Sequence, residues 1–372
     1  MIVLRAFKTE LDLNNKQKTA CVQHAGAARF AYNWGLARKQ EAFARGEKTP
    51  SAIDLHRELN ALKKTELTWM YSVSKCAPQE ALRDLDKAFA NFFRRVKDKR
   101  SGKKIKAGFP RFKSKRHGLG GFRLTGAIHV FEKAIKLPRL GVLHLKERGY
   151  LPTVGVHILS ATVSEKAGRW FVSLHVEMEI PNPIKEENPA AGVDLGINCM
   201  AQVSDGTYFE NPHALKSALS KLKRLQRVVS RRQKGSVNRQ KAVKQLAKAH
   251  FRVSNIRKDA LHQATSYLAK TKSAVVLENL NVSGMMKNHH LAQAIADVGI
   301  YEFRRQLQYK GEWYGCEVLL ADRFFPSTKR CSQCGNEKAV DLAERVYCCE
   351  YCGQVIDRDL NAAINLEQLL HC

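Results

Sequence analysis

The sequence predicts a multidomain α+β protein in which a helical segment and a β-rich segment precede an α/β domain. Three observations carry that prediction. Apolar residues recur at helical spacing through residues 15–99, they alternate with period two from Phe122 to Ile180, and strands then alternate with helices from Gly192 onward. With 372 residues and 44% hydrophobic content, the chain is long enough for two or three domains, each with its own core.

The opening residues, Met1-Ile2-Val3-Leu4-Arg5-Ala6-Phe7-Lys8, alternate as a strand does. They lack the apolar stretch and small-residue cleavage site of a secretory signal, so the protein is expected to stay in the cytoplasm. Ala28, Ala31, Tyr32 and Leu36 mark the helical stretch, which Gly46 and Pro50 divide into at least two helices. A dense basic run from Arg94 to Lys104 ends it and reads as a linker that touches phosphate. Trp170, Val172, Leu174, Val176, Met178 and Ile180 then alternate with Phe171, Ser173, His175, Glu177 and Glu179. Residues 158–164 join this strand through Glu165-Lys166-Ala167-Gly168, a loop of hairpin length, so a small β-barrel or sandwich is expected.

Pro181, Pro183 and Pro189 flank an acidic linker, and a new domain begins at Gly192-Val193-Asp194-Leu195-Gly196, with residues up to Asp205 as the hairpin partner. Long basic helices over about 214–270, a buried strand at 274–277, a helix over 295–314 and a strand at 317–320 follow. That order indicates an α/β sheet.

The formal charge of +28, from 63 Lys and Arg against 35 Asp and Glu, exceeds what solubility needs and implies a polyanionic partner, with nucleic acid leading. A membrane surface is set aside, because no apolar run of spanning length and no lipidation signal is present. Between Lys221 and Lys234 the chain carries Lys223, Arg224, Arg227, Arg231 and Arg232 with no acid to pair with them. Such a segment would repel itself along a helix, so it is expected to grip phosphates rather than stand as a solvated face.

Four of the ten cysteines repeat one pattern, Cys331-x-x-Cys334-Gly and Cys349-x-x-Cys352-Gly. Each pair sets two thiolates on a tight turn where glycine can take positive φ. Four thiolates complete a tetrahedral Zn²⁺ and leave no open position, so one structural zinc is expected. Cys348 lies beside Cys349, but only Cys349 keeps the two-residue interval of the first knuckle, and Cys348 is taken as a bystander.

Asp194 interrupts an apolar strand, where a carboxylate is costly unless a partner or cation compensates it. Gly196, beside it, leaves space for a backbone to approach. Glu278 closes the strand Ala274-Val275-Val276-Leu277, the end at which α/β sheets present functional groups. Asp359 can open the last helix and aim at the sheet, or serve as an ordinary helix cap. Three such acids suit the two-metal hydrolysis of a phosphodiester, in which carboxylates hold two divalent ions about 4 Å apart. Hard oxygen ligands call for Mg²⁺ or Mn²⁺.

The order Asp, Glu, Asp, with the cysteine motif just before Asp357-Arg358-Asp359-Leu360-Asn361-Ala362-Ala363-Ile364-Asn365, resembles the TnpB family of transposon-encoded RNA-guided DNA endonucleases. Ala28-Arg29-Phe30-Ala31-Tyr32-Asn33, Gly108-Phe109-Pro110-Arg111-Phe112 and Phe325-Pro326-Ser327-Thr328 extend the likeness along the chain. The resemblance implies a RuvC-type, RNase H-like nuclease domain with an inserted zinc ribbon, and a β-barrel wedge domain interrupted by a helical recognition domain. It places the wedge at 1–12 and 118–185, recognition with its basic linker at 13–117, the nuclease at 186–325 and 354–372, and the ribbon at 326–353. Asp194, Glu278 and Asp359 fall on the family's catalytic positions, with Asp357 the lesser choice. Lys75 and Gln79 match positions that contact a short flanking DNA motif, and their spacing sets both on one helical face.

The implied partners are one guide RNA from the transposon end, bound by a single protein copy, and target double-stranded DNA, with the protein on the prokaryotic nucleoid when it engages DNA. The expected activity is divalent-metal-dependent cutting of DNA that matches the guide. A nuclease-inactive RNA-guided repressor is the alternative, and it would have no need of all three acids. A DNA-joining transposase would use the order Asp, Asp, Glu, and a zinc-ribbon transcription factor would leave the strand-borne acids without a function.

Overall fold

The computed structural model describes residues 1–183, 188–341 and 344–370. The chain divides into two compact units, Met1–Ile180 and Pro181–Cys372. The middle of the expected acidic linker, at 184–187, lies outside the described residues, and so does the expected junction at 185–186.

The first unit opens with β1 (Ile2–Asp12), which alternates in exposure as expected, and enters α1 (Asn15–Ala44) through a capping box formed by Asn14 and Gln17. After the turn at Gly46 comes α2 (Ala52–Leu62), capped in the same way by Ser51 and Asp54, then a 3₁₀ turn (Thr68–Ser72) and α3 (Cys76–Arg100). Pro78 is tolerated in α3 because it occupies the first turn, where its missing N–H costs no intrahelical bond. The face that α1 buries is made of small residues, among them Ala27, Ala28, Ala31 and Gly35. A methyl group at Gly35 would come within 2.7 Å of Leu82 Cδ2 on α3.

The basic run expected as a linker is helical up to Arg100, where α3 ends, and only its last four residues leave the helix. Beyond it lie β2 (Gly121–Leu124), β3 (His129–Phe131), β4 (Ala134–Leu137), β5 (Gly141–Leu145), β6 (Val156–Lys166) and β7 (Arg169–Glu179). The turn between β6 and β7 is reduced to Ala167 and Gly168, both at positive φ, as a tight hairpin requires. The strands form one antiparallel sheet in the order β2-β6-β7-β1-β5-β4-β3. The first strand is thus completed only by strands that follow the helices: β1 pairs with β7 from Ile2 to Glu10, then with β5 through Leu11 and Asp12. Among the described residues β2 and β3 are outer strands, so the hydrogen bonding does not run full circle as a closed barrel's would. The sheet instead hinges at the short β1–β5 pairing, and residues of both ends, such as Leu124 and Val172 with Ile135 and Leu143, share one core with the helices.

The second unit contains β8 (Ala191–Asp194), β9 (Cys199–Val203), β10 (Tyr208–Glu210), α4 (Ala214–Arg231), α5 (Val237–Thr271) and β11 (Ala274–Leu277). Then follow α6 (Val282–Met285), α7 (Ala292–Val298), α8 (Ile300–Tyr314), β12 (Glu317–Leu320), a ribbon with β13 (Val346–Cys348) and β14 (Val355–Asp357), and α9 (Arg358–Gln368). The helix expected over 295–314 is two helices, because Gly299 sits at φ +80° and ends α7 before α8 begins. The sheet order is β10-β9-β8-β11-β12, with β8, β11 and β12 parallel.

A backbone approaches Gly196 as expected, and a tighter approach occurs at Gly192. A Cβ there would fall 1.9 Å from the Ala363 carbonyl oxygen and 2.4 Å from the Glu367 nitrogen, so only glycine lets α9 lie on β8. Gly196 faces the Cys199 carbonyl of its own hairpin, at 2.9 Å from an added Cβ. Because the atoms that Gly192 faces are backbone, they cannot rotate away. Gly192→Ala is expected to cost roughly 3 kcal/mol and to lower the melting temperature of this unit by about 5–10 °C in calorimetry. Gly26→Ala, with open space around it in the middle of α1, is the control and should stabilise the first unit by up to about 1 kcal/mol.

Candidate functional site

The register of the parallel strands brings two of the expected acids together. Val193 on β8 is the partner of Leu277 on β11. Asp194 ends β8 and Glu278 follows β11, so they leave neighbouring strands at the same level, about 4.8 Å apart by strand spacing. Asp359 arrives from the first turn of α9, the helix that packs on β8. All three are half-buried. Burial, and then the charges of Glu278 and Asp359, push the Asp194 carboxyl well above the usual carboxylate range, with Arg358 pulling the other way. Glu278 is raised by burial and by Asp359, while the Ser327 hydroxyl opposes the rise. The structure therefore gathers the three acids into one electrostatic cluster of hard oxygen donors, with more negative charge than Arg358 offsets, a set that fits divalent cations.

Asp357 is the helix cap. Its Oδ1 accepts the backbone N–H groups of Asp359 and Leu360 at 2.9 and 3.0 Å, which leaves the Asp359 carboxylate for other contacts, including Arg358 at 3.0 Å. Further along α9, Asn365 donates to the carbonyls of Ser327 and Arg330 at 2.8 and 2.6 Å. Asn361 donates to the Arg330 carbonyl at 2.7 Å and accepts the Ser332 N–H at 2.9 Å. These amides hold the segment that carries Ser327, which is 2% exposed and donates its hydroxyl to Glu278 Oε1. Glu278 and Arg323 line three adjoining clefts of about 180, 300 and 270 Å³. In the third of these Arg304 reaches Asn279 Oδ1 at 3.2 Å.

The ribbon brings Cys331, Cys334, Cys349 and Cys352 together, with every Sγ within 4.8 Å of the others. Cys331 to Cys352 and Cys334 to Cys349 are both 3.6 Å. A zinc tetrahedron with bonds of about 2.3 Å has edges of about 3.8 Å, so the donors fit the ion. Gly335 and Gly353 take φ +75°, as the knuckle turns require. Backbone N–H groups of Cys352 and Tyr351 point at Cys349 and pull its thiol down to about 6 against the opposing effect of burial. Cys348 is exposed on β13 and takes no part in the cluster, whereas the adjacent Tyr347 is fully buried and donates to the Lys329 carbonyl at 3.0 Å.

Of the expected nucleic-acid contacts, Lys75 and Gln79 lie one turn apart at the start of α3, in the first unit, Lys75 exposed and Gln79 half-buried. Burial, and then Lys63, Arg83 and Lys75, hold the nearby His56 imidazole below its ordinary value, so positive charge concentrates at this corner. Lys221, Lys223, Arg224, Arg227, Arg231, Arg232 and Lys234 are all exposed on α4 and the turn after it. The helix is held at both ends. Arg239 of α5 donates to the Val229 and Arg232 carbonyls at 2.8 and 3.0 Å, and the buried Asp297 carboxylate receives the Leu215 and Lys216 N–H groups and pairs with Arg257 at 2.8 Å.

A family model described as "Probable transposase" matches residues 173–289, one described as "Cas12f1-like, TNB domain" matches 301–366, and one described as "Helix-turn-helix domain" matches 1–48. A Streptomyces pristinaespiralis protein named "Putative RNA-guided DNA endonuclease" is 35% identical over 369 residues, covering 98% of this chain and 89% of that protein. The chain belongs to the TnpB family. The Escherichia coli K12 protein named "Putative RNA-guided DNA endonuclease InsQ" is 34% identical to this TnpB-family chain over 382 residues, covering 98% of the chain and 91% of InsQ. The fold is that of the mini-RNA-guided endonuclease CRISPR-Cas_phi3, at a TM-score of 0.53 and 9% identity over 99% of this chain and 92% of that one. The stretch matched by the helix-turn-helix model folds in this TnpB-family chain as β1 and α1 alone, up to the turn at Gly46.

Nothing local in the sequence announces roles for Ser327, Arg304, Arg323, Asn361, Asn365 and Asp297. Ser327 and the two asparagines lie inside motifs that carry the family resemblance, but nothing local to those motifs says that they meet. Asn365→Ala removes two hydrogen bonds to the segment bearing Ser327 and is expected to loosen the ribbon by about 2 kcal/mol. Hydrogen exchange should then quicken at 327–336 while the amides of β8 and β11 keep their protection. Equal protection at both places would show that the asparagine does not hold the ribbon.

Proposed function

We propose that the chain is an RNA-guided DNA endonuclease whose hydrolytic site is the Asp194, Glu278 and Asp359 cluster. The observation that carries this reading is the departure of Asp194 and Glu278 from adjacent strands in register, with Asp359 delivered beside them by α9. The names of the relatives and their coverage of nearly the whole chain support it. Two Mg²⁺ or Mn²⁺ ions held by these carboxylates would supply an activated water and a stabiliser for the leaving oxygen. The chain's own residues do the rest. Ser327 fixes one oxygen of Glu278 and so orients the other, Arg358 steadies Asp359, and the clefts around Arg323 give a strand access to the acids. Cys331, Cys334, Cys349 and Cys352 would hold one structural Zn²⁺ that keeps the ribbon folded against α9.

In this reading residues 1–12 and 118–185 are the wedge, 13–117 the recognition domain, 186–325 and 354–372 the RuvC-type nuclease, and 326–353 the ribbon. The cations on α4 bind the phosphates of the guide–target heteroduplex, and Lys75 and Gln79 meet the flanking DNA motif. A single protein copy works with one guide RNA in the cytoplasm. DNA that is bound but left uncut would identify the repressor alternative.

Protein co-expressed with RNA from the transposon end should cut a guide-matched plasmid beside one flanking motif when Mg²⁺ is present. EDTA or Asp194→Ala should abolish cutting while leaving guide-dependent binding. Cleavage that survives Asp194→Ala would remove the carboxylate cluster from the mechanism. Replacing Arg224, Arg227 and Arg231 together by glutamine should weaken heteroduplex binding and flatten the slope of log affinity against log salt by about two to three. An unchanged slope would mean that α4 does not touch phosphate.

A further inference from the structure

The turn between β12 and the first cysteine knuckle contains two consecutive phenylalanines with opposite fates. Phe325 packs inward beside Val276 and Leu366, whereas Phe324 is 87% exposed. Asp322 imposes the difference, since its side chain accepts the Phe324 N–H at 2.8 Å and its carbonyl accepts the Phe325 N–H at 3.1 Å. The exposed ring is therefore carried on a braced turn. It lines the cleft of about 300 Å³ that also contains Glu278, Arg323, Lys329 and Arg358. Arg323 and Lys329 are exposed, and neither enters an ion pair among the described residues.

An open aromatic face, flanked by unpaired cations, in a cleft that reaches a carboxylate cluster matches the parts of one nucleotide. The ring suits a base and the cations suit its phosphates. A base inside a duplex already has both faces covered, so only an unpaired one can use the ring. Resting on the nuclease reading above, we infer that Phe324 is a stacking seat for one unpaired base of the strand being cut, with Arg323 and Lys329 holding the adjacent phosphates. The seat is indifferent to base identity, because every base presents a π face. It sets where the strand lies relative to Glu278 and takes no part in the chemistry.

The test uses the full chain with its co-expressed RNA and single-stranded DNA carrying one 2-aminopurine, moved along the strand. The Asp194→Ala protein should quench fluorescence at one position, and the quenching should vanish when Phe324→Ala is added and persist with Phe324→Tyr. In cleavage, Phe324→Ala should raise KM about five- to hundredfold and leave kcat within a few fold. An abasic nucleotide at the same position should do the same to the wild type and add nothing to Phe324→Ala, a coupling that a merely structural role would not produce. If the chain cuts no DNA, the nuclease reading fails, and quenching that depends on Phe324 still establishes the seat. Quenching and KM that are indifferent to Phe324→Ala overturn it.

Discussion

The contact on which the second unit depends is the one between α9 and β8 at Gly192. With a hydrogen atom in place of a side chain, the strand accepts the backbone of Ala363 and Glu367 directly against it. That closeness lets one helix do three things: Asp359 meets the strand acids, Asn361 and Asn365 hold the ribbon, and Leu366 closes the small core with Val276 and Ala321. Moving α9 outward by the width of a methyl group would disturb all three.

The same arrangement concentrates negative charge in a chain whose net charge is +28. Bringing three carboxylates together in a half-buried place works against stability, because each raises the cost of ionising the others. The rest of the unit compensates with an apolar sheet whose β8 and β11 are buried almost throughout, and with Arg358 and Ser327 on the acids. Local conflict of this kind, surrounded by consistent packing, is what a functional site looks like in physical terms. The cations of α4 show the opposite arrangement. They stand exposed on a helix held by Asp297 and Arg239, so their position is set without drawing on their own charge.

Much of the second unit was legible in the sequence because its signals are local. The strands at 274–277 and 317–320 coincide with the apolar runs that announce them, and the knuckle glycines take the positive φ that their spacing demands. The break at Gly299 was not legible, since the apolar period continues across it and only the backbone departs. The backbone approach at Gly196 comes from its own hairpin and is local, whereas the one at Gly192 comes from α9, and no local pattern records which helix will lie on which strand. Whether Asp359 would cap α9 or stay free of that duty was likewise not legible, and hydrogen bonds give the cap to Asp357. Ser327 and Asn365 are common polar residues whose roles depend on partners 49 and 38 positions away in sequence. In the first unit, period two announced the strands, but the path of the sheet depends on the two residues with which β1 changes partner.

The ribbon has almost no core of its own: Tyr347 and two of the cysteines, with Val340 and Ile356 beside them. So little apolar surface does not hold a fold by itself, and the thiolate cluster must supply the cohesion. Two of those sulfurs, on Cys334 and Cys352, lie at the surface. The bracing of Glu278 therefore runs through Ser327 and the asparagine clamps to a segment whose integrity rests on exposed thiols. An oxidant or a competing soft metal arriving at the edge of the molecule reaches the acid cluster by that route, which makes the ribbon a fuse as well as a scaffold.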